Sequence, residues 1–264
     1  MFAFTTDGLM DRYMIHYLTF DYFFSDPKDV PADALWSAYG WQHILWLVVM
    51  GAIIFFACKK FRKLDEDKRR KILLVVAIWI LIQEIIKDLL FYYAGQFELK
   101  HLPFHFCGIS IGFSLWYALK PNNLNAAYVY GMSMPGALCA LLFPNWTEYP
   151  LIHFSSINSF TIHAELILFA LLALTSGMLV PRFKEIPKLF LVILLMAIPI
   201  YFLNKSWGTN FMFISDPSPG SPLMPLYDMF GDGYVVAAAV LMVIVWMIIF
   251  LPWELFRKKK RNRA

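Results

Sequence analysis

Charge is scarce in this chain. Only 16% of its 264 residues are Asp, Glu, Lys or Arg, against about 25% in soluble globular domains. Cysteine is scarce as well. Cys58, Cys107 and Cys139 all lie in or beside apolar runs, so no disulfide framework is implied. The sequence has no Walker loop, no GxGxxG, no internal repeat and no low-complexity tract. It has no spacing such as HExxH, and neither a metal nor a cofactor is expected. The last apolar run lacks the lysine that a retinal Schiff base would need. The first 38 residues hold no uninterrupted apolar core behind a basic start, so a secretory leader is not expected. Together these gaps exclude a disordered chain, a coiled coil and a disulfide-stapled secreted domain, and they almost exclude an ordinary cytosolic enzyme.

What is present is apolar mass, with 59% hydrophobic and 18% aromatic residues. A membrane-spanning helix needs about 20 mostly apolar residues. Seven runs qualify, at 40–58, 72–94, 104–119, 125–143, 160–179, 188–203 and 234–252. The third is short and follows Pro103, and the sixth carries Pro199, which predicts a kink. The fold class is therefore an all-α polytopic transmembrane bundle of seven spans. Residues 1–38 form an extracytoplasmic segment with an interfacial helix at 13–24, residues 39–253 the membrane domain, and 254–264 a basic cytoplasmic tail. The loop 204–233, with Pro217, Pro219, Pro222 and Pro225, is too long for a turn and too proline-rich for a floppy linker.

The net charge of +4 could suggest nucleic acid, but the basic residues gather between the spans. With the N-terminus outside, 18 Lys and Arg fall on the cytoplasmic side and 4 on the other. That is a strong positive-inside bias, and it places the C-terminus in the cytoplasm. The remaining one, Lys87, lies inside the second span beside Glu84 and Asp88. Three charges there cost up to about 8–10 kcal/mol, and the span's fourteen Leu, Ile, Val and Phe return about 4–8. The span must face protein or water. The i,i+3 and i,i+4 spacing puts all three charges on one face, either as a structural ion pair or as the wall of a site.

Other polar residues share that depth. His43 opens the first span, His105 and Cys107 the third, His163 lies in the outer half of the fifth, and Asn210 flanks the long loop. The inner halves are almost wholly apolar. This one-sided pattern predicts a shared outward-facing cavity. Cys107 is the candidate nucleophile, because a helix N-terminus favours thiolate and offers free N–H groups to an oxyanion. His105 or His163 would be the base. Gly108 and Gly112 form a GxxxG pair, so Cys107 also fits as a small packing residue. A metal site from His43, His105, His163 and Glu84 lacks any supporting spacing. His163 and Glu165, at i,i+2, point to different faces.

The segment Leu102-Pro103-Phe104-His105-Phe106-Cys107-Gly108 resembles the LPxHxC signature of the YwaF-like bacterial integral membrane proteins. Gly208-Thr209-Asn210-Phe211-Met212-Phe213, followed by Pro217 and Pro219, is similar to their GxNYMxL motif, with Phe211 in place of the usual Tyr. More distantly, that family resembles a eukaryotic transmembrane group that moves fatty acyl chains between phospholipids through a Cys. The resemblance implies a multi-pass protein of the bacterial plasma membrane. It implies a lipid acyltransferase or lipid-ester hydrolase acting through Cys107 with His105 or His163, and with His43, Glu84, Asp88 and Asn210 around the substrate. The alternative is a small-solute or proton-coupled transporter without covalent chemistry. The expected partners are membrane lipid and a second copy of the chain, not nucleic acid.

The charge bias fixes an expected topology. Reporter fusions after Lys63 and after Lys260 should both report cytoplasm, and one within residues 215–225 should report the other side. Opposite locations for the first two would break the seven-span scheme.

Overall fold

The computed structural model describes residues 21–261. The expected interfacial helix at 13–24 lies mostly outside the described residues. Among them every regular element is helical. The spans are α1 (Trp41–Phe61), α2 (Glu66–Tyr93), α3 (Phe106–Leu119), an interrupted helix of α4 (Asn123–Tyr128) and α5 (Met134–Leu142), α6 (Phe154–Thr175), α7 (Ile186–Trp207) and, after the short α8 (Leu223–Phe230), α9 (Tyr234–Arg261). Five of them are long and apolar enough to cross a membrane. The other two are α2, which carries the internal charges, and the interrupted α4–α5.

α6 is the central helix. Half of its apolar window is buried inside the bundle, against 17–22% for the other four spans. It packs against α1, α2, α3 and α5. Its sequence explains this, because Ser156, Ala164, Ala170 and Ala173 are buried and small enough to let neighbours approach. α1 instead turns Ile44, Leu45, Val48, Ile53, Phe55 and Phe56 outward, as a lipid-facing helix should.

Helix boundaries differ from the hydropathy reading at several ends, α2 beginning at Glu66 and α7 ending at Trp207 among them, and three differences have a plain physical reason. α6 starts at Phe154, not 160, because His153 caps it: Nδ1 accepts the Ser155 N–H at 3.0 Å. The polar residues Ser155, Ser156, Asn158 and Ser159 hid that first turn from a hydropathy count. α9 continues past Pro252 to Arg261, helped by the Arg257–Glu254 ion pair at 2.7 Å. Between α4 and α5 the chain widens into a π-helical turn, Val129–Ser133. Such a turn frees carbonyls from the regular ladder, and here Trp246 Nε1 donates to Gly131 O at 2.7 Å. Tyr130 donates to Ile249 O and accepts from Trp253, fastening the same turn to α9. Gly131 is required by close approach, since a Cβ there would lie 2.9 Å from Leu189 Cδ2.

His153 is buried, not solvated as a loop residue would be, and its Nε2 donates to Ser25 O at 3.1 Å. Burial holds its pKa below the ordinary 6.5. The folded protein therefore takes up this proton less readily than the unfolded chain. The stability that neutral His153 contributes is complete above pH 6.5 and drains away as pH falls through the lowered pKa. The unfolding midpoint should drop between pH 7 and pH 5. In His153→Asn, which can still cap but cannot titrate, the drop should be smaller. An unchanged pH slope in that variant would assign the titration to another group.

Candidate active site

The antiparallel order brings the end of α2, the start of α3 and the first half of α6 to one end of the bundle, opposite the basic loops. α2 supplies three charges. Lys87 Nζ sits 2.6 Å from Glu84 Oε1 and 3.3 Å from Asp88 Oδ1. The three side chains are only 14–27% exposed. Two carboxylates thus hold one ammonium, which satisfies the structural reading of this face.

α3 begins with His105 as its N-cap residue, but the imidazole makes no capping bond. Its Nδ1 instead accepts the Met212 N–H at 3.3 Å. The first intrahelical bond of α3 runs from Ile109 N–H to His105 O, so the earlier N–H groups have no helical acceptor. Cys107 is the second residue of α3, so its own N–H and that of Gly108 are among them. A developing negative charge on sulfur, or on an oxygen bound nearby, would meet oriented donors there.

His163 comes from α6. Its Nδ1 contacts Ser159 O at 2.7 Å, and because a carbonyl only accepts, Nδ1 carries the proton. Nε2 then offers a lone pair, and no group among the described residues takes it. The ring stacks on Trp146, with centroids 5.4 Å apart. Cys107 packs against the buried cluster that holds Trp146, Phe160 and Ala164. His105 has the opposite tautomer: Nδ1 accepts, so Nε2 carries the proton. The site end thus presents one histidine as a base and the other as a donor. Among the described residues, Cys107 forms no hydrogen bond to either.

Two expected binding residues serve as braces. His43 is fully buried; its Nδ1 accepts the Tyr39 N–H at 3.0 Å and its Nε2 donates to Leu141 O at 2.7 Å. Neither ring nitrogen is left for a ligand. Asn210 accepts from the Ser215 and Asp216 N–H groups and donates to Asp216 O, closing its own loop. Only Glu84 and Asp88, of the four expected binding residues, stand at the wall with Lys87. Glu165 turns away from His163, as the i,i+2 spacing required, and accepts from Trp79 and Gln83 on α2. Cys139 is exposed on α5, not packed.

Sequence reasoning missed the residue that holds the loop in place. Asn204 is buried; it accepts from Phe211 N–H and Thr209, and donates to Phe211 O. Tyr234 donates to Phe213 O at 2.5 Å. These bonds hold Met212 and Phe213 at φ 57° and 51°, a left-handed conformation that side chains disfavour. Strain of this kind persists only where surrounding bonds enforce it, and here it aims the Met212 N–H at His105. The signal was the buried-polar Asn204 at a helix end, read only as a loop flank.

A family model described as TMEM164 matches residues 38–250, most of the chain. The chain belongs to the TMEM164 family. No curated protein and no solved structure matches it. The TMEM164 match covers all seven spans except the tail of α9, and a multi-pass membrane protein follows from it and from the fold. Neither the YwaF-like resemblance nor acyl-transfer chemistry follows from that membership.

The GxxxG pair of this TMEM164 protein is not a helix-packing motif. A Cβ on Gly108 would lie 2.7 Å from Pro103 Cα and Pro103 O, whereas one on Gly112 would meet nothing within 4 Å. Gly108 lets the Pro103 turn close over the start of α3. Gly108→Ala should cost about 1–3 kcal/mol through that clash. Gly112→Ala should be neutral or slightly stabilising. Thermal unfolding of the two purified variants checks this, and equal losses would restore the packing reading.

Proposed function

We propose that this protein transfers or hydrolyses lipid acyl esters through a Cys107 acyl-enzyme, acting on membrane lipid from the outer-leaflet side of the bacterial plasma membrane. The observation that carries the reading is the placement of Cys107 in the uncapped first turn of α3, where the N–H groups have no helical acceptor. A histidine with an open lone pair stacks on Trp146, within the buried cluster that Cys107 packs against.

The step runs as follows. His163 Nε2 takes the Cys107 thiol proton, and the sulfur attacks the ester carbonyl carbon. The carbonyl electron pair moves onto oxygen, where the N–H groups of Cys107 and Gly108 stabilise it. Collapse expels the alcohol oxygen, which receives the proton from His163, and leaves a thioester on Cys107. A second lipid hydroxyl completes transfer, or water completes hydrolysis, with His163 acting again as base. His105, protonated on Nε2, is a hydrogen-bond donor here and not the base. Solute binding by α2 is less favoured, because Glu84 and Asp88 already hold Lys87.

Purified protein incubated with phospholipid should gain one acyl mass on Cys107, removable by hydroxylamine. Cys107→Ser should lower turnover by about three orders of magnitude. His163→Ala should lose about 10²–10⁴-fold, and His105→Ala distinctly less. Lipid profiles unchanged between wild type and Cys107→Ser would overturn the enzyme reading and favour solute binding.

A further inference from the structure

A second candidate site lies at the opposite end of the bundle, where the basic loops gather. A cavity of about 330 Å³ opens between the first turns of α2, the end of α3 and the turn after α6. Its polar wall is Glu66, Arg69, Arg70 and Tyr117, and Ser176 to Met178 close one side. The volume falls in the range of small-ligand pockets, about 300–1,000 Å³.

The bonding within this wall leaves guanidinium donors unspent. Arg69 is half-buried and reaches two interhelical turns: Nη2 donates to Arg62 O at 2.6 Å and Nη1 to Ser176 O at 3.4 Å. Its Nε is buried and has no partner among the described residues, an arrangement that normally calls for an acceptor. Arg70 donates Nε and Nη2 to a single oxygen, Glu66 Oε1, at 3.1 and 2.6 Å, and its Nη1 has no hydrogen bond among the described residues. The Tyr117 hydroxyl is committed to Met178 O at 2.9 Å. The wall of this cavity therefore carries two guanidinium groups against one carboxylate.

We infer that this cavity binds a phosphate-bearing anion. Planar guanidinium donors match phosphate oxygens in pairs, whereas lysine offers only a point charge. The position at a bundle end rich in Lys and Arg is where an anionic lipid headgroup would sit, and a free phosphate would present the same chemistry. Glu66 is the internal stand-in: its carboxylate occupies Arg70 until an anion competes. This site is independent of Cys107 and of the acyl-transfer reading.

The test uses the full chain in detergent, with the thermal midpoint read against added phosphatidylglycerol, phosphatidylcholine or inorganic phosphate. Phosphatidylglycerol should raise the midpoint at concentrations where phosphatidylcholine does not. Arg70→Gln should raise the half-effect concentration at least about ten-fold. Glu66→Gln, which removes the competing carboxylate, should lower it several-fold. The two variants break the same exposed helix pair, so a purely structural pair would make them behave alike. A Lys63→Gln/Lys71→Gln double variant removes charge outside the cavity and should change little. If inorganic phosphate reproduces the shift through Arg70, the free anion is the source; if only the lipid does, it is the headgroup. Equal responses to the two lipids, an unchanged Arg70→Gln, or an equal loss in the lysine variant would each overturn the site.

Discussion

A lysine ammonium held within a lipid-embedded bundle sets the terms for the rest of this fold. Lys87 cannot face hydrocarbon at tolerable cost, and it is met by Glu84 and Asp88 from its own helix. With three charges, α2 is not among the five helices apolar enough to cross alone. It packs against α3 and α6, and those helices carry Cys107 and His163. The requirement that hides the charges from lipid is therefore the one that assembles the site.

Backbone groups, not other side chains, fix the histidines. His43, His105, His153 and His163 each have a ring nitrogen bonded to a main-chain N–H or carbonyl. Counting the nitrogens that remain separates braces from candidates. His43 and His153 have none left, whereas among the described residues His105 and His163 have one each, in opposite tautomers. The His105 state depends on a segment that costs energy to hold. Two consecutive residues at positive φ cost about 1–3 kcal/mol each. Asn204 and Tyr234 supply the bonds that offset this.

The sequence revealed height better than direction. Apolar runs located seven helices, because lipid thickness imposes a length that hydropathy reads directly. The polar first turn of α6 and the helix beyond Pro252 escaped for the converse reason: both leave the apolar stretch. The π-helical turn at Val129–Ser133 has no pattern of its own, and it became legible only through Trp246 and Gly131 meeting it. Depth along the spans also grouped His43 with His105, Cys107 and His163. Depth does not say which way a ring points, so His43 and Asn210 were indistinguishable from site residues until their partners were known. The i,i+2 argument did give direction, and it separated His163 from Glu165 correctly.

The two bundle ends carry different chemistry with little between them to connect it. The site end holds Lys87 and two open histidines, and the other end holds arginines. The buried cluster between the helices includes Phe61, Leu73, Tyr128, Phe169, Trp246 and Phe250. The polar groups buried near it are the hydroxyls of Ser110, Ser114, Tyr128 and Ser133, with Asn125 and Glu185 at helix starts on its border. A transported ion would need stepping sites through this region, or a helix shift to open one. Trp246 and Tyr130 lock the π-helical turn to α9, and Gly131 leaves no room against Leu189 and Phe250. A core fastened in this way resists the rearrangement that alternating access requires. It suits a rigid platform, which is what a nucleophile and base need if they are to keep their positions while lipid enters from one face.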